Sequence, residues 1–254
     1  MTNSLATFIF HGTLRDFLAP GNRAGGAIAY PVVRRASIKD AIEALGPPHT
    51  EIGRIVVNAA SVAFSHPLQP GEAIEVFPVA TPCNPLAPDP PLRPEPLPRL
   101  AFLVDANVGK LAALLRLVGF DTVYDRDLDD QGIAALAAAQ QRIVLTRDTA
   151  LLKRRAITHA HYIRAAQPRD QLRETLGFFG LVPPYAPFSR CLACNTLLVP
   201  VAKADILPRL LPLTRQYVHD FHHCPQCDKI YWRGSHHAHM QRWLDGLAVH
   251  GAAP

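Results

Sequence analysis

Arg99-Leu-Ala-Phe-Leu-Val-Asp105-Ala-Asn107 and, further along, Arg142-Ile-Val-Leu-Thr-Arg147-Asp148 are the stretches whose reading decides the fold. Each is a continuous apolar run of strand length that ends on, or just before, an aspartate. Between them Leu111, Leu114, Leu115 and Val118 recur at helical spacing, and Gly119 stops that helix. Asp121-Thr-Val-Tyr124 is short and β-prone, Asp130 stands where it can cap a helix carrying Ile133, Leu136, Ala137 and Gln140, and Leu151-Leu-Lys-Arg-Arg155 begins another helix. Strand and helix alternate, which predicts an α/β core around a parallel sheet.

Open parallel sheets gather their sites at the carboxyl ends of the strands. That rule brings Asp105 and Asp148 to one edge, with Asp129 and Asp130 in reach on a loop entering a helix. Carboxylates crowded into one cleft repel unless cations bridge them, and hard oxygen ligands suit Mg²⁺ or Mn²⁺. The expected chemistry is metal-assisted attack on a phosphodiester, with Asn107 orienting Asp105 or a metal-bound water. Taken singly, each acid reads equally well as a helix cap, and it is their placement at matching edges that favours a site. Asp125 and Asp127 lack such placement and read as solvated loop residues. Arg147, Lys153 and Arg154 either cover a solvated helix face or contact the phosphate backbone of RNA.

The motifs Phe-Leu-Val-Asp105-Ala-Asn-Val-Gly-Lys-Leu-Ala, Leu-Arg-Leu-Val-Gly-Phe-Asp-Thr, Asp129-Asp130-Gln, Leu-Thr-Arg147-Asp148 and Leu-Leu-Lys-Arg, in that order, resemble the Mut-seven C-terminal RNase family of PIN-like nucleases. The resemblance continues through Gln171-Leu-Arg, Ser189-Arg-Cys191-Leu-Ala-Cys194-Asn and Cys224-Pro-Gln-Cys227 to Tyr231-Trp-Arg-Gly-Ser-His236, covering roughly Arg99 to Met240. It implies a metal-dependent ribonuclease core followed by a zinc ribbon, often behind a small ubiquitin-like domain. It also implies metal-binding acids at Asp105, Asp130 and Asp148, with Asp129 assisting. Two features depart from the family pattern. Gly132 stands where Glu usually follows Asp-Asp-Gln, a change that weakens a first helical turn by about 1 kcal/mol, and the first helix lacks a frequent tryptophan.

Outward toward the amino terminus, Leu5–Phe10 and Gly26–Val33 read as strands. Ser37 caps a helix striped by Ile38, Ala41, Ile42 and Leu45, and Ile52–Asn58 and Ala73–Val79 supply further strands. Strand, strand, helix, strand, strand is the order of a β-grasp domain, expected over residues 1–80. The Leu68–Pro78 segment is similar to the last strand of ubiquitin-like sulfur carriers. The chain runs on into Thr81-Pro82 instead of ending in a Gly-Gly tail, so a packing role or a protein partner is expected rather than carrier chemistry. Residues 81–98 carry eight of the 24 prolines and read as a semi-rigid spacer. The nuclease core then occupies residues 99–180.

Residues 181–254 hold two Cys-x-x-Cys pairs, Cys191/Cys194 and Cys224/Cys227. Two tight turns that each aim two thiolates at one point match a tetrahedral, structural Zn²⁺. A redox pair and ligation by His222 or His223 are the lesser readings. Tyr231-Trp-Arg233 and the histidines after it either stack on bases or pack on the ribbon. Five cysteines, four of them paired in this way, indicate a reducing compartment. With no long apolar run, the expectation is a cytoplasmic protein without membrane spans. A net charge of +5 is compatible with RNA as partner. A non-catalytic RNA or ribonucleoprotein binding module is the alternative reading to the nuclease.

Overall fold

The computed structural model describes residues 4–232. The amino-terminal part is a β-grasp domain. Strands β1 (Leu5–Phe10) and β2 (Ile28–Pro31) are antiparallel, helix α1 (Ile38–Leu45) follows, and β3 (Ile52–Val57), β4 (Ala60–Ser61) and β5 (Ala73–Pro78) complete a sheet of order β2-β1-β5-β3-β4, in which β1 and β5 run parallel. Ser37 begins α1 with a capping box: its hydroxyl accepts the Asp40 N–H while its own N–H donates to the Asp40 carboxylate. Gly46 ends it at φ 134°, where a Cβ would lie 2.1 Å from the Phe17 carbonyl, so only glycine fits. The core gathers Phe8, Phe10, Leu14, Ile38, Ile42, Ile55, Ile74 and Val76.

The second unit alternates as its sequence requires. It runs β6 (Ala101–Val104), α2 (Lys110–Leu117), β7 (Asp121–Tyr124), α3 (Asp130–Gln140), β8 (Ile143–Thr146), α4 (Thr149–Leu152), β9 (Ala160–Tyr162) and α5 (Pro168–Phe178). The strands form a parallel sheet of order β7-β6-β8-β9. Phe102 and Val104 face α2 and α5, whereas Leu103 faces α3 and α4, the period-two alternation of a sheet covered on both sides. Each such fully buried large apolar side chain contributes roughly 1.5–3 kcal/mol. The order reverses between β6 and β8, and the crevice beyond their carboxyl ends is the topological switch point.

The proline-rich segment is a packed strap, not the spacer its composition suggests. Leu92 and Leu97 are buried, and the Arg93 guanidinium donates to the carbonyls of His49, Thr50, Ile52 and Thr158, joining both domains. Prolines offer no N–H to neighbouring segments, and here the half-buried Arg93 side chain supplies the donors instead, to four carbonyls of flanking segments.

The carboxyl-terminal module has β10 (Val199–Val201), α6 (Lys203–Ile206), α7 (Pro212–Tyr217), β11 (Phe221–His223) and β12 (Ile230–Trp232), the three strands making an antiparallel sheet. The basic and histidine-rich residues after Trp232 lie outside the described residues. Both outer strands of the parallel sheet are capped by side-chain oxygens from the flanking modules. Glu51 accepts the Tyr162 N–H at 2.8 Å on β9, and Asn195 accepts the Thr122 N–H at 3.0 Å on β7. Edges that would template further strands are thereby closed. Among the described residues no helix is long and apolar enough to cross a membrane.

Candidate active site

Asp105 leaves β6 with its N–H on the Leu145 carbonyl at 3.0 Å and caps a short turn, Ala106–Val108, that leads into α2. Its carboxylate accepts three bonds, from the Ala106 N–H at 2.5 Å and from Asn107 Nδ2 and Thr146 Oγ1 at 2.6 Å each. Thr146 closes β8 and is fully buried. Its hydroxyl donates to Asp105 and accepts from Asp148 N–H at 2.9 Å and Asn107 Nδ2 at 3.1 Å, which uses its whole hydrogen-bonding capacity. Asn107 Oδ1 accepts the Arg147 N–H at 3.1 Å. One connected network therefore fixes the ends of two adjacent strands. Gly109 permits it from below: a Cβ there would lie 2.7 Å from the Tyr124 hydroxyl.

The other acids lie at helix starts. Asp148 Oδ1 caps α4 through the N–H groups of Ala150 and Leu151, and Asp129 Oδ1 caps α3 through Gly132 N–H at 2.7 Å. Asp130 is in the first turn of α3 and stands 3.4 Å from Arg154. The helix-cap and metal-ligand readings are thus not exclusive, since each cap engages a single oxygen. Gly132 occupies the third position of α3, where a glutamate would complete a capping box with Asp129. Among the described residues, Asp105, Asp130 and Asp148 do not bring their oxygens within 4.8 Å of one another as a group of three, whereas the four cysteines do.

The basic residues separate. Arg147 is exposed beside the acids, its guanidinium reaching the Ala165 carbonyl at 3.3 Å. Arg154 pairs with Asp130. Lys153 turns away, with Nζ donating to the Glu43 carbonyl of the β-grasp domain at 2.7 Å, and burial lowers its pKa. Nothing in its sequence context distinguished a docking lysine from a phosphate-binding one. Thr146 was also missed, although a lone hydroxyl at the end of an otherwise apolar strand was the available signal.

The cysteine cluster is a separate centre. Cys191 and Cys227 are 3.4 Å apart at sulfur, as are Cys194 and Cys224. A tetrahedron with Zn–S of about 2.3 Å has edges of about 3.8 Å, so the thiols stand slightly inside the geometry of a bound ion. Asn195 and Asp228, each just after a knuckle, take left-handed φ of 71° and 59°. Burial raises the Cys191 pKa, but the Tyr231 hydroxyl and knuckle N–H groups outweigh it and bring the thiol down to about 6. The first knuckle is held on the core by Arg116, buried in α2, which donates to the Leu192 and Ala193 carbonyls at 2.9 Å each. Asn195 Nδ2 also donates to Asp121 at 2.8 Å. This attachment is at the amino-terminal half of β7, away from the carboxyl ends that carry Asp105 and Asp148, so the four clustered cysteines suggest a structural zinc.

Comparison with known proteins adds two matches. A family described as Mut7-C RNAse domain matches residues 100–244, more than half of the chain, and one described as Mut7-C ubiquitin matches residues 3–84. No curated protein and no solved structure matches the chain.

Proposed function

The chain belongs to the Mut7-C RNase domain family, and from that premise we propose that it hydrolyses RNA phosphodiester bonds at the carboxyl edge of β6 and β8. The observation that carries the reading is the shared network in which Thr146 and Asn107 hold Asp105 while the same hydroxyl anchors Asp148. Three donors hold this carboxylate in one orientation, as a metal ligand requires. The donor set is all oxygen, which fits Mg²⁺ or Mn²⁺ rather than a softer ion. Mg²⁺ is commonly held by one or two carboxylates with several waters retained, so acids spaced more widely than a closed cage are compatible with it.

Asp105 and Asp148 would hold the cation, with Asp130 and Asp129 at the rim. When bound it supplies water activation and neutralises charge on the scissile phosphate. The chain's own residues do the positioning. Asn107 and Thr146 hold the Asp105 carboxylate in one orientation through a shared oxygen, and Arg147 offers an exposed cation for an adjoining phosphate.

The test uses labelled single-stranded and structured RNAs with Mg²⁺, Mn²⁺ or chelator, beside an Asp105→Asn, Asp148→Asn double variant of verified fold. Metal-dependent cleavage lost in the variant is the expected result. Equal RNA binding by both proteins with cleavage by neither would replace the nuclease with the non-catalytic binding module.

A further inference from the structure

The acid edge does not stop at β8. Thr146 and Tyr162 are register partners on β8 and β9, so their side chains point to the same face of the sheet, about 4.8 Å apart at the backbone. Thr146 is bonded to Asp105, and a row Asp105, Thr146, Tyr162 thus crosses three strands at their carboxyl ends. The β-grasp domain continues this row. Phe17 meets Tyr162 edge to face at 5.1 Å between ring centroids, and both rings are half-buried, with part of their surface open to solvent.

Arg164 lies against both rings, its guanidinium carbon 5.5 Å from each centroid. It is committed elsewhere, donating to the Tyr162 carbonyl at 3.1 Å and to Glu51 at 3.2 Å, and its Nε is 3.7 Å from Asp16. With Asp16 at its side, this spot repels a phosphate more than it attracts one. The exposed parts of two half-buried rings, beside a guanidinium that is already committed, suit bases instead. An exposed arginine, Arg147, stands on the acid side of the row, with its guanidinium also reaching the Ala165 carbonyl. That is the division found where unpaired RNA is bound: aromatic platforms for bases and arginine for the backbone.

Resting on the nuclease reading, we infer that bases of the RNA substrate stack on Tyr162 and Phe17. The strand would run from Asp105 across β9 onto the β-grasp domain, with Arg147 on its phosphates. The β-grasp domain then contributes to the substrate site itself.

The experiment measures binding of a fluorescent oligouridylate to the full chain in chelator, so that nothing is cut, beside an abasic ribose-phosphate oligomer of equal length. Phe17→Leu and Tyr162→Leu should each weaken oligouridylate binding by about ten-fold, the scale of one lost stacking contact. Binding of the abasic oligomer should stay within about two-fold. Phe17→Tyr, which keeps a stacking ring, should restore affinity. Oligouridylate bound by folded Phe17→Leu as tightly as by the unaltered chain would overturn the track. So would equal losses for both oligomers. If RNA is still cleaved in a manner dependent on Asp105, the nuclease reading survives that failure. An unaltered chain that neither binds nor cuts RNA overturns both.

Discussion

Glu51, in the β-grasp domain, accepts the outward N–H of Tyr162 on the last strand of the nuclease sheet at 2.8 Å, with its side chain only 5 % exposed. Around this bond lie His161, between Glu51 at 3.4 Å and Glu174 at 3.2 Å and stacked on Phe178, and Arg164, 3.2 Å from Glu51. Glu51 and His161 are buried at the junction of the domains, and Glu174 and Arg164 face them from half-buried positions. A buried charge left without its partner is strongly destabilising, so Glu51 and His161 depend on each other and on the two groups that face them.

The pH dependence follows from the directions of the shifts. Burial would raise Glu51 and Glu174, but the close pairing with His161, with backbone N–H groups, leaves both below the ordinary carboxylate range. Burial would lower His161, but Glu174 and Glu51 outweigh it and raise its pKa. The stabilisation from His161 is complete below the ordinary histidine pKa and is lost as pH rises through the raised value. That from the carboxylates is present above their ordinary pKa and lost as pH falls through the depressed ones. Protection of the Tyr162 amide against hydrogen exchange should therefore peak between these limits and fall at alkaline pH. A His161→Gln variant should show no alkaline fall, and a fall identical to that of the unaltered chain would place the titrating group elsewhere.

Thr146 is the position at which a small change should harm the acid edge most. Thr146→Val conserves shape but removes the donor to Asp105 and the acceptor for Asp148 N–H. Leaving the buried N–H unpaired costs about 1–3 kcal/mol of stability. RNA cleavage should fall by about a hundred-fold, the scale expected when positioning of a reacting group is lost, whereas Thr146→Ser, which keeps the hydroxyl, should retain most of it. Cleavage rates and thermal unfolding measured together separate the two effects. A Thr146→Val enzyme of full activity would mean that Asp105 needs no such support.

The cysteine centre should govern the opposite edge of the sheet. One zinc per chain is expected by elemental analysis, lost in Cys191→Ser. Because Asn195 caps Thr122 and Arg116 holds the knuckle carbonyls, stripping the metal should deprotect the Thr122 amide while leaving β8 amides protected. Uniform deprotection across the sheet would instead make the zinc a support of the whole core.

The sequence by itself determined the elements and their order, because periodicity, caps and apolar runs are local. Leu100–Val104 and Arg142–Thr146 read as strands from their apolar runs, Ser37 caps the helix it precedes, and paired Cys-x-x-Cys turns specify convergent sulfurs, whereas the cap of α3 fell to Asp129 and not to the expected Asp130. The two strand-end aspartates were legible as site candidates for the same reason. Tertiary structure alone decided which local options were taken. Lys153 and Arg154 adjoin in sequence, yet one reaches across to Glu43 and the other pairs with Asp130. A proline-rich strap became packed structure because Arg93 found four carbonyls supplied by distant segments. Thr146, Tyr162 and Phe17 line up only once two strands are in register and a second domain has docked on them. Such relationships join residues far apart along the chain, and a pattern of neighbours carries no information about which distant partner satisfies a buried polar group.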